Sequence, residues 1–484
     1  MPYKMSEKTK IFIVSALIAA VGIFFIATIR PGHGWGDDFS QYIHHAINIA
    51  QGTPYQQTGY IYNPSYSLLG PAIYPPGFPL LLVPVYKIFG LNFTAFKIEI
   101  ITLFLACLLL TYLLLKDKLG FKYLLSLIVL IGFNPFFWNF KDSVLSDIPF
   151  FFWAFLGLFL IDQCLKKANA RKFQWLFGIG LALVFYLAFA TRTLGIVLPA
   201  CLVSLELLKT KKISPLTIIA LAFFAVLVIG QASLLSDSSY LDQFSGFGVK
   251  SVVKSFLISA KALIFFWGSS SQAISLGVII ALLASAGFIT RIKEKKFAPC
   301  ELFLIFYVLA IGLWPSNQGA RFLIPIIPLF LFYAFYSLQK IGESRLPRKI
   351  GQAIFILLVS AIFVSYVGRY IAIGFGPISE GPFRKESIEL FEHIKQNTNH
   401  QDVFIFAKPR ALALFTGRSA AALQETNNDQ QLWDYLNQIS ADYLIQGQRV
   451  LASNFLNDFI LRNQAGLEPV YSNPDFVVYK ILAR

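Results

Sequence analysis

The sequence predicts a polytopic α-helical membrane protein with a small extracytoplasmic α/β domain at its C-terminus. Three observations carry this reading: an apolar composition, a succession of long apolar runs, and basic residues gathered in the short gaps between them. Hydrophobic residues make up 56% of the 484-residue chain and charged residues 14%, with a mean hydropathy of +0.62. Soluble domains carry about 25% charged and about 45–50% apolar residues. The 49 phenylalanines suit a lipid-facing surface better than a compact soluble core.

A transmembrane helix needs about 20 predominantly apolar residues. Runs of that kind occur at about 11–30, 94–115, 121–138, 147–165, 173–190, 193–208, 213–235, 270–290, 299–314, 321–339 and 350–371, which makes about eleven transmembrane helices. The first follows Lys4, Lys8 and Lys10 but lacks an A-x-A cleavage site, so it reads as an uncleaved helix and not a signal peptide. The net charge of +15 is concentrated in clusters such as Lys116/Lys118/Lys122, Lys166/Lys167/Arg171/Lys172, Lys209/Lys211/Lys212, Arg291/Lys293/Lys295/Lys296 and Lys340/Arg345/Arg348/Lys349. Clusters between apolar runs mark cytoplasmic loops. All of them lie inside if the N-terminus is cytoplasmic, and the C-terminus then lies outside. This distribution excludes nucleic acid as the partner. Residues 78–90, short and interrupted by Pro84, read as a juxtamembrane or re-entrant helix on the outer face.

Three extracytoplasmic pieces remain: a loop at 31–92 rich in Tyr, Pro and Gly, an amphipathic stretch at 236–269 with Lys250, Lys254 and Lys261 near the surface, and the tail. The chain therefore divides into a membrane domain, 1–374, and a C-terminal domain, 375–484. In the tail, residues 402–406 and 441–446 read as strands, 409–417 and 453–464 as helices, and 469–482 as a hairpin turning at Asn473-Pro474-Asp475. Lys408-Pro409-Arg410 and Gly417-Arg418 read as a turn and solvated surface charges. Cys107, Cys164, Cys201 and Cys300 lie in or beside apolar segments without metal-type spacing, which argues against disulfides and zinc.

The segment with most chemical content is Trp35 to Tyr55, where Asp37 and Asp38 stand at the start of an apparent helix just outside the first span. Acids at helix starts serve as caps and complement the helix dipole. A partly desolvated acid at a membrane surface is also suited to general-base work, because its pKa moves toward neutrality. The same loop holds Tyr55, Tyr60, Tyr62, Tyr66 and Tyr74, rings that stack on sugars or settle at the interface.

The acid pair after the first span, the helix of the form Tyr42…Ala46…Gly52, and Tyr74-Pro75-Pro76-Gly77-Phe78-Pro79 leading to Phe89-Gly90 together resemble the GT-C membrane glycosyltransferases. Within them the similarity is to the branch of the protein O-mannosyltransferases and the lipid A aminoarabinose transferase, glycosyltransferase family 39/83-like. The resemblance implies transfer of a sugar from a polyprenyl-phosphate donor, with inversion. Asp37 would be the general base and Asp38 would orient the acceptor or support its partner. The acceptor would be a glycolipid, a polysaccharide or a protein of the cell envelope, in lipopolysaccharide or protein glycosylation. A lipid-carried donor suits acids placed outside, where nucleotide sugars are absent, and no G-x-G-x-x-G or P-loop signature is present.

The leaving phosphate needs cations. Arg192, at a turn between two apolar runs, and Arg321, in an Arg-aromatic-Leu-x-Pro pattern, are the residues the resemblance assigns to it. A guanidinium grips phosphate oxygens bidentately. Asp147 starts the fourth run, where relatives often place an acid facing the cavity and where a helix cap is the alternative. The sequence identifies no cofactor with certainty, and a divalent metal held by Asp37, Asp38 and His44 is conceivable from their spacing. Some relatives carry an acid where this chain has Tyr74, which weakens that metal set. The competing reading is a transporter or lipid flippase, but no repeated pair of Gly/Pro-broken segments is visible.

Overall fold

The computed structural model describes residues 5–166, 174–235, 243–244, 248–315, 317–343, 348–423 and 428–482. Parts of the basic runs at 166–172 and 344–349, and of the stretch at 236–247, lie outside the described residues. The membrane region contains α1 (Glu7–Ala27), α2 (Asp38–Gln51), α3 (Gly77–Phe89), α4 (Phe93–Leu115), α5 (Phe121–Gly132), α6 (Pro135–Phe140), α7 (Asp147–Lys166) and α8 (Gln174–Thr191). It continues with α9 (Val197–Thr210), α10 (Pro215–Leu234), α11 (Val249–Phe265), α12 (Ser271–Lys293), α13 (Pro299–Gly312), α14 (Ile327–Glu343) and α15 (Arg348–Ile373).

Among the described residues, eight helical segments are long and apolar enough to cross a membrane, and α3, α8 and α13 are shorter apolar helices. The protein is a multi-span membrane protein. Every apolar run read from the sequence is helical, but three differ from a single continuous helix, the run at 121–138 being split into α5 and α6 at Asn134-Pro135. The run at 321–339 becomes a short 3-10 turn at Gly319–Arg321 followed by α14, because Pro325 and Pro328 interrupt the helical ladder at its start. From Ile327 to Leu338 every residue of α14 is buried, the pattern of a helix enclosed by protein and not by lipid. The run at 193–208 likewise opens with a 3-10 turn, Thr193–Ile196, before α9.

The 31–92 loop is tied down at both ends. Helix α3 packs on α2, α4 and α8. It approaches the end of α8 so closely that a Cβ on Gly77 would stand 2.6 Å from the backbone of Ala190 and Thr191, so only glycine fits there. Below the loop, Arg30 at the end of α1 donates through Nε to Asp142 Oδ2 at 2.9 Å, and Lys141 donates to the same oxygen at 2.8 Å. Lys97 lies 3.8 Å from Asp142 Oδ1 and donates to the carbonyls of Arg30 and Gly32. One buried carboxylate thus faces three cations. Asp142→Ala is expected to cost about 3–5 kcal/mol, since it strands buried charges. Thermal unfolding in detergent reads this loss, and a melting temperature equal to wild type would refute it.

The C-terminal region adds α16 (Lys385–Asn397), α17 (Pro409–Thr416), α18 (Asp429–Gln438) and α19 (Asn454–Arg462) to a six-stranded sheet. Its strands are β1 (Tyr60–Ile61), β2 (Val403–Ile405), β3 (Ser419–Ala421), β4 (Tyr443–Gly447), β5 (Leu467–Ser472) and β6 (Phe476–Ile481), in the order β1-β3-β2-β4-β6-β5. The expected strands, helices and hairpin are present, and Asn473 Oδ1 closes the hairpin turn by accepting from the Asp475 and Phe476 amides. The edge strand β1 comes from the 31–92 loop and pairs in parallel with β3, Tyr60 opposite Ala420. Trp35, two residues before the acid pair, inserts edge-on among Phe391, Phe406 and Phe476 of the C-terminal region. The loop carrying the acids is therefore built into the same body as the tail.

Candidate active site

Residues from four distant parts of the chain meet at the end of the bundle beneath the C-terminal region. Asp38 begins α2, Asp147 begins α7, Arg192 sits between α8 and the following 3-10 turn, and Arg321 ends the turn before α14. Arg321 bridges the two acids. Its Nη1 donates to Asp38 Oδ2 at 3.1 Å and its Nη2 to Asp147 Oδ2 at 2.9 Å. Arg192 donates to the other oxygen of Asp147 and, at 3.2 Å, to Gln318, with its guanidinium 5.1 Å from the ring centre of Phe322. Asp147 is fully buried. Two guanidinium groups held side by side by one buried carboxylate form a preorganised cationic face. Asp38, Arg192 and Arg321 line a cavity of about 90 Å³ together with Tyr42, Tyr74 and Trp314.

Asp37 and Asp38 point in different directions. Asp37 occupies the N-cap position of α2 but its side chain makes no capping bond. Its Oδ1 accepts instead from the Ala411 amide at the start of α17, at 3.2 Å, and its buried Oδ2 has no hydrogen-bond partner. Burial pushes the Asp37 carboxyl up to about 6, although Arg410, Lys408 and the Ala411 amide pull the other way. Burial would also raise Asp38, but Arg321, then Arg410 and the Tyr74 hydroxyl more than offset it and hold that carboxyl below the usual range. The two neighbouring acids are thus driven apart, one toward neutrality and one firmly ionised, as environment divides paired carboxylates at acid–base sites.

Arg410 was read from sequence as a solvated charge, and the structure corrects this: its side chain is 0% exposed. The guanidinium lies between the rings of Tyr60 and Tyr74, 4.5 and 5.1 Å from their centres. It donates to Tyr74 Oη at 3.1 Å and to the Pro71 carbonyl at 2.9 Å. It stands 3.6 Å from Asp38 Oδ1 and, through Nε, 3.9 Å from Asp37 Oδ2. Tyr74 in turn donates to Asp38 Oδ1 at 2.7 Å. Two of the loop tyrosines thus hold a cation. Arg418 is also buried, its guanidinium donating to the carbonyls of Lys395, Thr398 and Thr416. No local pattern distinguishes Arg410 from a surface charge, because what buries it is the return of the chain more than 300 residues later onto the first loop; Arg418 is enclosed by the C-terminal region itself.

The conceivable metal set is not assembled: among the described residues no group of three His, Cys, Asp or Glu side chains is placed to hold a metal ion. Asp38 and Asp147 already carry guanidinium partners, a donor set that does not fit a divalent cation. His44 stands apart from this network. Its neighbour His45 fastens the loop, with Nε2 accepting from the Tyr74 amide at 3.3 Å and Nδ1 paired with the Tyr55 carbonyl at 2.8 Å.

No sequence-family description matches the chain, and no curated protein matches it. Solved structures do. The archaeal oligosaccharyltransferase AglB from Archaeoglobus fulgidus, in complex with an inhibitory peptide and a dolichol-phosphate, aligns at a TM-score of 0.62 and 12% identity over 90% of this chain and 70% of its own. Another structure of that enzyme holds zinc and sulfate. ArnT from Cupriavidus metallidurans, bound to undecaprenyl phosphate, aligns at a TM-score of 0.58 and 12% identity over 98% of both chains. The arabinofuranosyltransferase AftD from Mycobacteria aligns at 0.59 and 13% identity over 99% of this chain but 40% of its own.

Proposed function

Because the chain has the GT-C fold, we propose that it is an integral membrane glycosyltransferase that moves a sugar from a polyprenyl-phosphate donor to an extracytoplasmic acceptor. The observation that carries this reading is the convergence of Arg192 and Arg321 on one cavity beside the acid pair. A cationic face beside an acid pair, one member of which has a near-neutral pKa, suits displacement of a phosphate by a hydroxyl. Asp37 takes the acceptor's proton as the hydroxyl oxygen attacks the anomeric carbon. The bond from that carbon to the phosphate oxygen breaks, and polyprenyl phosphate departs with the electron pair as the sugar inverts. Arg192 and Arg321 receive the charge on the phosphate, Asp147 keeps their forks aligned, and Asp38 anchors Arg321 and Tyr74.

Asp37 Oδ2, which has no hydrogen-bond partner, is the oxygen left to take the proton. Since the donor set around the acids does not suit a divalent cation, no step runs through a metal. The positive-inside distribution supports a plasma (inner) membrane enzyme with a cytoplasmic N-terminus and an extracytoplasmic tail. The acceptor class, whether glycolipid, polysaccharide or protein, is read by surfaces outside the acid cavity.

The assay is release of undecaprenyl phosphate from a radiolabelled undecaprenyl-phosphate sugar by the purified protein with lipid A and peptide acceptors. Arg192→Gln is expected to raise the apparent KM for the donor about tenfold, one charge-assisted contact's worth, while leaving that for the acceptor near wild type. Absence of donor turnover by wild type with every acceptor would overturn the activity. An unchanged donor KM would remove Arg192 from the phosphate site.

A further inference from the structure

A second cavity, of about 740 Å³, lies between the start of α12 and the end of α15, and none of its lining residues is shared with the acid cavity. Three features make its polar end an anion site. Fully buried Trp267 lines the cavity, and its indole N–H has no hydrogen-bond partner. Arg369 lines it as well; one of its Nη atoms donates to the Phe266 carbonyl, and among the described residues no carboxylate pairs with it. The 23-residue helix α12 begins here at its N-cap Ser270, with no acid in its first turn. Its dipole and free amides favour a negative charge at that point, and Ser269 and Gln272 add polar groups at the rim.

The remainder of the wall is largely apolar, drawn from two helices that are each long enough to cross a membrane. An unpaired guanidinium within such a span is costly and calls for a partner of opposite charge. The cavity is on the membrane face that bears the acid pair. Helix α15 ends at Ile373, and the Ile378 amide just beyond it donates to the Pro31 carbonyl ahead of the acids. Helix α11 separates the two cavities, since Ser255 near its start bonds the Trp314 carbonyl of the acid cavity and Trp267 follows its end.

We infer that this cavity holds the phosphate headgroup of an anionic membrane lipid, with an acyl chain laid along the apolar wall between α12 and α15. The inference stands apart from glycosyl transfer and is tested by binding alone. Detergent-purified full-length protein is titrated with dioleoyl phosphatidylglycerol and the retained lipid is counted by native mass spectrometry. Wild type should keep one phosphatidylglycerol under activation that strips the others. Arg369→Gln should lower that retained fraction about tenfold, the loss of one charge-assisted phosphate contact.

Gly368→Leu keeps the charge and places side-chain bulk in space that is open around Gly368, so it should cause a similar loss without touching Arg369. Thermal melts of both variants near wild type keep the comparison on binding. Equal retention by wild type and both variants would overturn the site. Displacement of the lipid by equimolar inorganic phosphate would show a free-anion site instead, and preferential displacement by undecaprenyl phosphate would assign the cavity to the donor. Either result ends the membrane-lipid assignment.

Discussion

Asp37→Asn is expected to lower sugar transfer by about 10²–10⁴-fold, the range for loss of a positioned general base. The substitution is nearly isosteric and keeps an acceptor for the Ala411 amide, so the fold should survive. The pH profile gives the sharper reading. Burial raises the Asp37 carboxyl to about 6, against the pull of Arg410, Lys408 and the Ala411 amide and with a smaller push from Asp38. The base form therefore fills as pH rises through about 6, and wild-type transfer should climb across that interval and level off above it. Below it, the rate should fall about tenfold per pH unit, as the fraction of a single required base does. Residual transfer by Asp37→Asn should lack that inflection. Equal rates in the two proteins, or the same inflection in the variant, would remove Asp37 from proton transfer. Asp38 lines the cavity, so a variant pair in which only Asp38→Asn is inactive would move the role to Asp38.

Arg410→Met should destabilise the protein by about 3–5 kcal/mol, the cost of removing one partner from a buried charged network. Methionine preserves much of the stem volume but supplies no donor to Tyr74 Oη or to the Pro71 carbonyl, and it leaves both acids of the pair without their shared cation. Any folded variant should also show a shifted pH profile. Arg410 is the largest of the influences that lower the Asp37 carboxyl, so its loss should carry the inflection of transfer above 6. Arg410→Lys returns the charge without the planar fork and should restore the inflection more fully than the melting temperature. A purely structural role would lower the melting temperature in both variants and leave the inflection where it is. That outcome would separate the C-terminal region from the chemistry.

The two predictions differ in how far sequence alone could have reached them. Asp37 was visible because it stands beside another acid at the end of an apolar run, on the side away from the basic clusters. Arg192, Arg321 and Asp147 were visible for a related reason: each is a charged residue at the end of an apolar run, where it must face protein, a cavity or headgroups. Arg410 carried no such mark. It follows Lys408-Pro409 at a turn between two apolar segments, and nothing in the neighbouring residues signals that it is enclosed by Tyr60 and Tyr74. The direction of each carboxylate of the pair was also invisible, since adjacent residues share a sequence context and differ only in what the folded chain brings against them.

The apolar runs, the basic clusters and the turn residues of the tail determined the class of fold, because helix length against bilayer thickness and the period of strands are local properties. They also determined which charges stand at span ends. Only the tertiary structure decided that β1 leaves the first loop to pair with β3, that α14 is enclosed by protein along most of its length, and that Arg321 spans Asp38 and Asp147. It also decided that Arg410 comes to rest against the acid pair. The pairing of β1 and the contacts of Arg321 and Arg410 join residues 100 or more positions apart. They are settled by which surfaces exclude water and lipid together, and only the assembled chain specifies that.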